Sequence, residues 1–299
     1  MKGVDRRSGY YDREKEAMAP VVRRRYQEVW LRGLIALAWE RAPGVRKRME
    51  AAGLRPKDLG SLDSLSRLPV IKKSQMPDLQ KADPPFGGFC TVPMKQIRKI
   101  FVSPGPIFEP LGPELGGWHA ETGLYAGGFR AGDIVINTFA YHLTPAAHEL
   151  DEALNLIGCA VVPTGVGNTD TQVMIAKAVG ATGFVGTPSF LMTVLKRAEE
   201  MGAGRLPFQV AQVGAEALPE SLRRTFEEQY GIMTRQGEPG QRTLWVVNSG
   251  FDWNNVIGER AVLLGKPPVP LKEKSLAMMS KLRAGFEATV GAAHIVTTL

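Results

Sequence analysis

Two cysteines in 299 residues, Cys90 and Cys159, cannot build a disulfide framework, and so low a count suits a reducing compartment. No run approaches the ~20 apolar residues that a membrane span requires. No secretory leader's apolar stretch stands at the amino terminus. The expectation is a soluble, cytoplasmic protein with no membrane partner. Histidine is scarce, with four in the chain. His119 and His148 have no carboxylate or cysteine at metal-ligand spacing, so they read as surface or helix-face residues and no metal site is expected. Internal repeats, low-complexity segments and nucleic-acid-binding motifs are also absent.

What is present describes a globular chain with a substantial core. The sequence is 44% hydrophobic, and its 33 glycines and 21 prolines fit many tight loops between strands and helices rather than disorder. The formal charge of +7 is concentrated early, in RRRYQEVW and GVRKRMEAAG. Such a balance attracts anions in general terms. Here the arginines alternate with an apolar stripe, which makes them a solvated helix face and argues against a nucleic-acid partner. Cys159 opens the apolar run CAVVP and reads as a small core residue rather than a nucleophile.

Along the chain, residues 11–53 read as helical. Val22, Tyr26, Val29, Trp30, Gly33 and Leu37 recur at spacings of three and four and form the expected buried stripe. A turn-rich stretch leads to DPPFGGF. From Arg98 the rhythm changes: RKIFVSP, AGDIVINTF, CAVVPTG, TGFVGTPS and FQVAQVGAEA read as strands. Helices follow, among them one over 145–158 with Ala146, Leu150, Ala153, Leu154 and Ile157 on one face. Apolar strands alternating with helices of ten or more residues imply βαβ units. The fold class is therefore α/β, a parallel sheet layered with helices. After Ile232 the alternation is expected to stop.

Two strand–loop–helix units, TGFVGTPSFLMTVLKRAEEMG and FQVAQVGAEALPESLRRTFEEQYG, place small-residue loops at the carboxyl edge of that sheet, where open α/β proteins bind ligands. These stretches, with NTFAYHLTPAAHELDEAL, GCAVVPTGVGNTDTQ and the upstream LPVIKKSQMPDLQKADPPFGGF, resemble the adenylate-forming (AMP-binding) enzymes, most closely the phenylacetate–CoA ligase branch. The resemblance covers roughly residues 11–232. It implies an acid–thiol ligase that activates an aryl or acyl carboxylate with ATP to an acyl-adenylate and then transfers the acyl group to CoA, with Mg2+ as the family's metal.

The same resemblance assigns Gly214, Ala215, Glu216, Ala217 and Leu218 to the adenine, whose flat ring can approach a backbone without large side chains. Glu216 reads equally as an anchor of that loop or as an acid favoured near a helix start. Tyr141, His142, Thr144, Pro145 and Ala146 are implied to line the acid pocket, with Gly186, Thr187 and Pro188. The plainer alternatives are a Tyr-His pair closing a loop over the core and, for Thr187-Pro188, a helix cap with proline at the first position.

The family's phosphate loop corresponds to Ser103, Pro104, Gly105 and Pro106, followed by Ile107, Phe108, Glu109 and Pro110. Proline removes N–H donors, no lysine occurs there, and Glu109 adds negative charge. The family's Tyr-Gly-x-Thr/Ala-Glu/Asp motif, which supplies its magnesium ligand, is replaced by GEPGQRTLWV. Lys266, Lys272, Lys274 and Lys281 have no motif around them, so no catalytic residue is nominated. Three regions are expected: a helical, turn-rich segment over 1–97, the α/β binding region over 98–232, and a divergent tail over 233–299. The chain is expected to be an incomplete or inactive ligase, with a non-catalytic nucleotide- or acyl-binding module, or a subunit of a split ligase, as the alternative. A homodimer or a companion carboxyl-terminal subunit is the expected partner. If the tail is read out of frame, translating the downstream DNA in the other two frames is expected to recover Tyr-Gly-x-Ala/Thr-Asp/Glu; its absence from both removes the frameshift explanation.

Overall fold

The computed structural model describes residues 4–113 and 120–236. They divide into two units: the described residues of 1–13 and 118–266 form one, and those of 14–117 the other. The sequence-expected strands in RTLWVV and RAVLL, the helix in KSLAMMSKLRAGF, and His119 lie outside the described residues. Among the described residues no helix is long and apolar enough to cross a membrane.

A short helix Arg13–Glu16 (α1) precedes α2, Pro20–Arg41, and α3, Pro43–Ala51. Both longer helices begin on a proline, whose missing N–H would have no partner in the first turn. The buried residues of α2 are Leu31, Ile35 and Ala38. The stripe expected from periodicity, Val22 to Leu37, is only half-buried. The apolar arc of this helix is wide enough to hold two adjacent stripes, and packing selects between them. Helix α4, Met76–Ala82, is followed by a hairpin of β1, Lys99–Ser103, and β2, Ile107–Leu111, paired antiparallel. The buried Gln80 accepts from the Phe108 N–H at 2.9 Å and donates to the Phe108 carbonyl at 2.8 Å, so its amide takes the place of a neighbouring strand. RKIFVSP is therefore a strand as expected, but it pairs in this hairpin and not in the parallel sheet.

The other unit runs α5 (Ala120–Gly127), β3 (Ile134–Asn137), α6 (Ala146–Ile157), β4 (Ala160–Pro163), α7 (Thr169–Ala178), β5 (Gly183–Gly186), α8 (Pro188–Glu200), β6 (Val210–Val213), α9 (Glu220–Arg224) and β7 (Met233–Gln236). The strands form one parallel sheet in the order β4-β3-β5-β6-β7. Ile136, Phe184, Ala211 and Val213 project to one face and pack with Val173, Ala176, Leu191, Val194 and Leu195 of α7 and α8. Val135, Val185 and Val210 project to the other and pack with Leu124, Leu150, Leu154 and Ile157 of α5 and α6. Cys159 is buried in this second core, and burial together with the nearby Asp133 charge pushes its thiol up to about 12, as befits an inert core residue.

Strand β7 continues the sheet past the point where the sequence pattern stopped. Its residues, MTRQ, show no apolar run, yet Thr234 and Gln236 are fully buried. Burial is tolerable because both are bonded: the Thr234 hydroxyl donates to the Ile232 carbonyl at 3.1 Å, and Gln236 bonds a neighbouring loop. Hydrophobic periodicity has no means of finding a strand buried through hydrogen bonds.

The amino ends of the central strands are joined by one carboxylate. Asp133, just before β3, receives both terminal nitrogens of Arg6 at 2.6 and 2.7 Å, the Thr182 hydroxyl at 2.7 Å and the Arg130 N–H at 2.7 Å. Arg6 also donates to the Gly128 carbonyl and to the Gln209 side chain, next to β6. The pair is closed to solvent, with side-chain exposures of 9% and 6%. Arg130 holds the same amino-terminal segment by donating to the carbonyls of Asp5 and Ser8, and its guanidinium lies 3.9 Å from the Tyr125 ring centroid.

Burial works to raise the Asp133 pKa, but the bonds from Arg6, Thr182 and Arg130 outweigh it and hold the carboxyl below its ordinary range. A lowered folded-state pKa means that this contribution is present above the unfolded pKa and is lost as pH falls through the folded value. Asp133→Ala should therefore lower unfolding free energy by about 3–5 kcal/mol, the usual cost of leaving a buried charge unpaired. Denaturant titration at neutral pH measures this, and the gap to the wild type should narrow on the acid side.

Candidate functional site

The order of the strands creates a switch point. The β3-to-β4 connection passes through α6 on one face, whereas the β5-to-β6 connection passes through α8 on the other. Strands β3 and β5 are neighbours, so their outgoing loops part to opposite sides and leave a crevice outside their carboxyl ends. The loop after β6 lies next along the same edge. The topology thus brings together three of the sequence-expected groups: residues 141–146, 186–188 and 214–218.

Asn137 ends β3 fully buried. Its amide donates to the Tyr141 hydroxyl at 2.9 Å and to the Ala147 carbonyl at 2.9 Å, while its oxygen accepts from the Phe139 N–H at 3.2 Å. The Tyr141 hydroxyl donates in turn to Asp151 at 3.2 Å. Burial first, and then the Asp151 charge, move the phenol's pKa above its ordinary value, so it stays protonated. His148 meets the Tyr141 ring edge-on at 5.1 Å between centroids, and its Nε2 lies 3.2 Å from the Tyr141 carbonyl oxygen. Tyr141 is therefore half-buried with both ends fastened. The histidine beside it is His148, which sequence reading set aside, and not the adjacent His142, which is exposed.

After Tyr141 the chain makes a γ-turn: the Thr144 N–H donates to the His142 carbonyl at 2.7 Å around Leu143, whose φ is 62°. Leu143 stands 67% exposed in that strained conformation. Thr144 and Pro145 are half-buried at the start of α6, and Ala146 is exposed.

At the end of β5, Gly186 is buried, and a Cβ there would collide with the Thr138 hydroxyl and the Phe184 ring. Only glycine fits. The Thr187 hydroxyl accepts from the Phe190 N–H at 3.2 Å and caps α8, with buried Pro188 at the first helical position. Cap geometry accounts for the Thr-Pro order, and Thr187 remains half-exposed at the edge.

The loop after β6 carries Ala215 at φ 64°, a left-handed conformation unusual for a residue with a Cβ. Ala215, Glu216 and Ala217 are exposed, Gly214 is half-buried and Leu218 is buried. Three tethers hold the loop. The Gly214 N–H donates to the Gly186 carbonyl at 3.0 Å. The Ser189 N–H and hydroxyl donate to the Glu216 carboxylate at 3.2 and 2.9 Å, at the head of α8. Gln236 of β7 accepts from the Leu218 N–H at 2.9 Å, and its Nε2 lies 3.3 Å from the Glu216 carbonyl oxygen.

Ser103, Pro104, Gly105 and Pro106 form the tip of the β1–β2 hairpin in the other unit. Gly105 contributes the one N–H among the three turn residues, and the Ser103 hydroxyl is bonded to the Glu109 carboxylate. Glu109, which reads from the sequence as a negative charge facing an anion, is here the acceptor for Ser103. Among the described residues no group of three His, Cys, Asp or Glu side chains could hold a metal ion, and Glu216, the carboxylate of the loop after β6, is engaged by Ser189.

Sequence reasoning missed Asn137, Ser189 as the partner of Glu216, and Gln236. The available signal was a polar residue at the carboxyl end of a strand: Asn137, Thr138, Gln212 and Gln236 are all buried there.

No family model matches the chain. Phenylacetate-coenzyme A ligase from Thermus thermophilus is 29% identical over 234 residues, covering 74% of this chain and 51% of the relative. The enzyme of the same name from Aromatoleum evansii is 30% identical over 204 residues, 65% of this chain and 45% of the relative. That from Pseudomonas putida is 25% identical over 238 residues, with 75% and 53% covered. The chain thus spans about half the length of the curated relatives it matches. Among solved structures, 2-hydroxyisobutyryl-CoA ligase in complex with 2-HIB-AMP and CoA in the thioesterification state superposes with a TM-score of 0.73 at 22% identity, over 85% of this chain and 58% of that one. Its open conformation gives 0.72 at 24%, over 80% and 58%. At such identity the likeness establishes the fold. Taken with the parallel sheet and its switch point, these matches show a chain similar over about two thirds to three quarters of its length to phenylacetate-coenzyme A ligases, with the fold seen in 2-hydroxyisobutyryl-CoA ligase.

Proposed function

We propose that this chain carries the acid- and nucleotide-binding portion of a cytoplasmic carboxylate–CoA ligase of the phenylacetate type, which joins an aryl or acyl carboxylate to AMP from ATP and passes the acyl group to CoA. The observation that carries this reading is the convergence of three loops at the switch point, one of them an exposed small-residue loop held from three sides. In this reading Gly214, Ala215 and Ala217 present a backbone surface to adenine, unobstructed by large side chains. Tyr141, fastened by Asn137 and Asp151 and kept neutral, offers its ring as a fixed wall for the acid. His142, Thr144, Pro145, Ala146, Gly186, Thr187 and Pro188 complete the pocket rim. A fixed aromatic wall binds an apolar acid at little conformational cost.

A second reading is favoured by the hairpin tip over 103–106. With one turn N–H and its serine committed to Glu109, it has little to hold a triphosphate. The described carboxylates likewise present no free ligand set for the family's Mg2+. These features support a non-catalytic nucleotide- or acyl-binding module, or one subunit of a split ligase working with a companion carboxyl-terminal subunit or as a homodimer.

ATP–pyrophosphate exchange by the purified chain, assayed with phenylacetate and with fatty acids, separates the readings. Exchange that depends on the acid is expected of a ligase portion competent for adenylation. AMP binding by calorimetry without exchange points to the binding module, and the absence of both exchange and AMP binding rejects the nucleotide assignment altogether.

A further inference from the structure

Gln236 occupies an unusual place. It ends β7, four residues beyond the point at which the sequence resemblance fades, and it is 1% exposed. A buried glutamine is costly unless its amide is satisfied, and this one bonds the backbone of the 214–218 loop through both its oxygen and its nitrogen. Its oxygen accepts from the Leu218 N–H at 2.9 Å, and its Nε2 faces the Glu216 carbonyl oxygen at 3.3 Å. The two bonded groups bracket Ala217 and lie immediately after Ala215, the residue held at φ 64°. A non-glycine residue in that region persists only where surrounding bonds over-determine it.

The other tethers leave this end of the loop unattended. Gly214 is fastened to Gly186 before the left-handed residue, and the Glu216 side chain reaches sideways to Ser189. Among the described residues, Gln236 ties the loop's main chain to the next strand. The task needs an acceptor and a donor on one planar group: glutamate can only accept, methionine offers neither, and asparagine is one methylene shorter.

We infer that Gln236 is a positioning residue that sets the conformation of the 214–218 loop and thereby governs nucleotide affinity without touching the nucleotide. The inference rests on the assignment of that loop to adenine made above. It places part of the site's rigidity in a strand whose sequence shows none of the family's motifs. Pre-organisation of this kind raises affinity because a loop already in its bound shape loses little freedom on binding.

The test compares the full chain with Gln236→Met and Gln236→Glu. AMP affinity and phenylacetate affinity are measured by calorimetry on the same preparations, and hydrogen–deuterium exchange is followed at the Leu218 amide. Gln236→Met is expected to weaken AMP binding about tenfold or more, the scale set by one to two lost buried hydrogen bonds. It should leave phenylacetate affinity within about twofold and accelerate exchange at Leu218. Gln236→Glu, which keeps the acceptor for Leu218, should retain most of the amide protection.

Unchanged AMP affinity in Gln236→Met overturns the inference, as does an equal loss of AMP and phenylacetate binding, which marks a general structural role. If the wild-type chain binds no AMP, the adenine assignment fails, and the Leu218 amide still decides the tether: protection retained in Gln236→Met overturns it.

Discussion

The α/β unit depends on one buried carboxylate. Asp133 gathers the first strand of the sheet, Thr182 before the next one, and Arg6 from the start of the chain into one set of bonds. Arg6 extends the set to Gln209 before β6. The Arg6 contacts join residues more than a hundred positions apart, and ordering them has a large entropic cost that the hydrophobic layers on both faces must offset. In a parallel sheet the register between neighbouring strands is not set by short turns, so a polar cross-tie at the amino ends has a direct structural effect. By fixing where the strands begin, it also fixes where they end, and the site lies at those ends.

The opposite edge uses polar groups differently. At the amino ends they bond one another and are closed off. At the carboxyl ends, buried Asn137 bonds the backbone of α6 and of the loop that leads into it, the Thr138 hydroxyl bonds the backbone of β5, and Gln236 bonds the backbone of the loop after β6. They shape loops whose exposed residues, including Leu143 and Ala215 in left-handed conformations, are left facing outward. Strain of this kind survives because neighbouring bonds over-determine it. Glu216 shows how close the anchoring and binding explanations of a residue can lie. Its carboxylate fastens the loop to the head of α8, which is where an acid is favoured by the exposed N–H groups and the dipole of a helix start.

Much of this architecture was legible in the residues. The apolar strands INTF, CAVV, GFVG and QVAQV have no polar alternation because helices cover both faces, and that pattern alone identified a parallel sheet. The helix over 146–157 was legible from its apolar face, on which Leu150, Ala153, Leu154 and Ile157 are buried as expected and Ala146 is not. Strand MTRQ was illegible, because its burial is secured by hydrogen bonds rather than by apolar side chains. The partner of RKIFVSP was illegible too, because strand propensity does not specify which edge a strand will meet. The buried stripe of α2 fell on Leu31, Ile35 and Ala38 for the same kind of reason: a wide apolar arc leaves the choice to whatever packs against it.

By itself, then, the sequence determined the local elements and the type of sheet, since these follow from propensity, periodicity and loop chemistry acting over a few residues. It also placed small residues at 214, 215 and 217 and proline at the hairpin tip, which limit what those loops can hold. Only the tertiary structure decided that Tyr141 pairs with His148, that Glu216 reaches Ser189, and that Gln236 reaches back to the Leu218 and Glu216 backbone. The last two depend on β5, β6 and β7 lying side by side in the order β4-β3-β5-β6-β7. No local property of a peptide encodes that order, because it is settled by which layers of helix can cover the whole sheet at once.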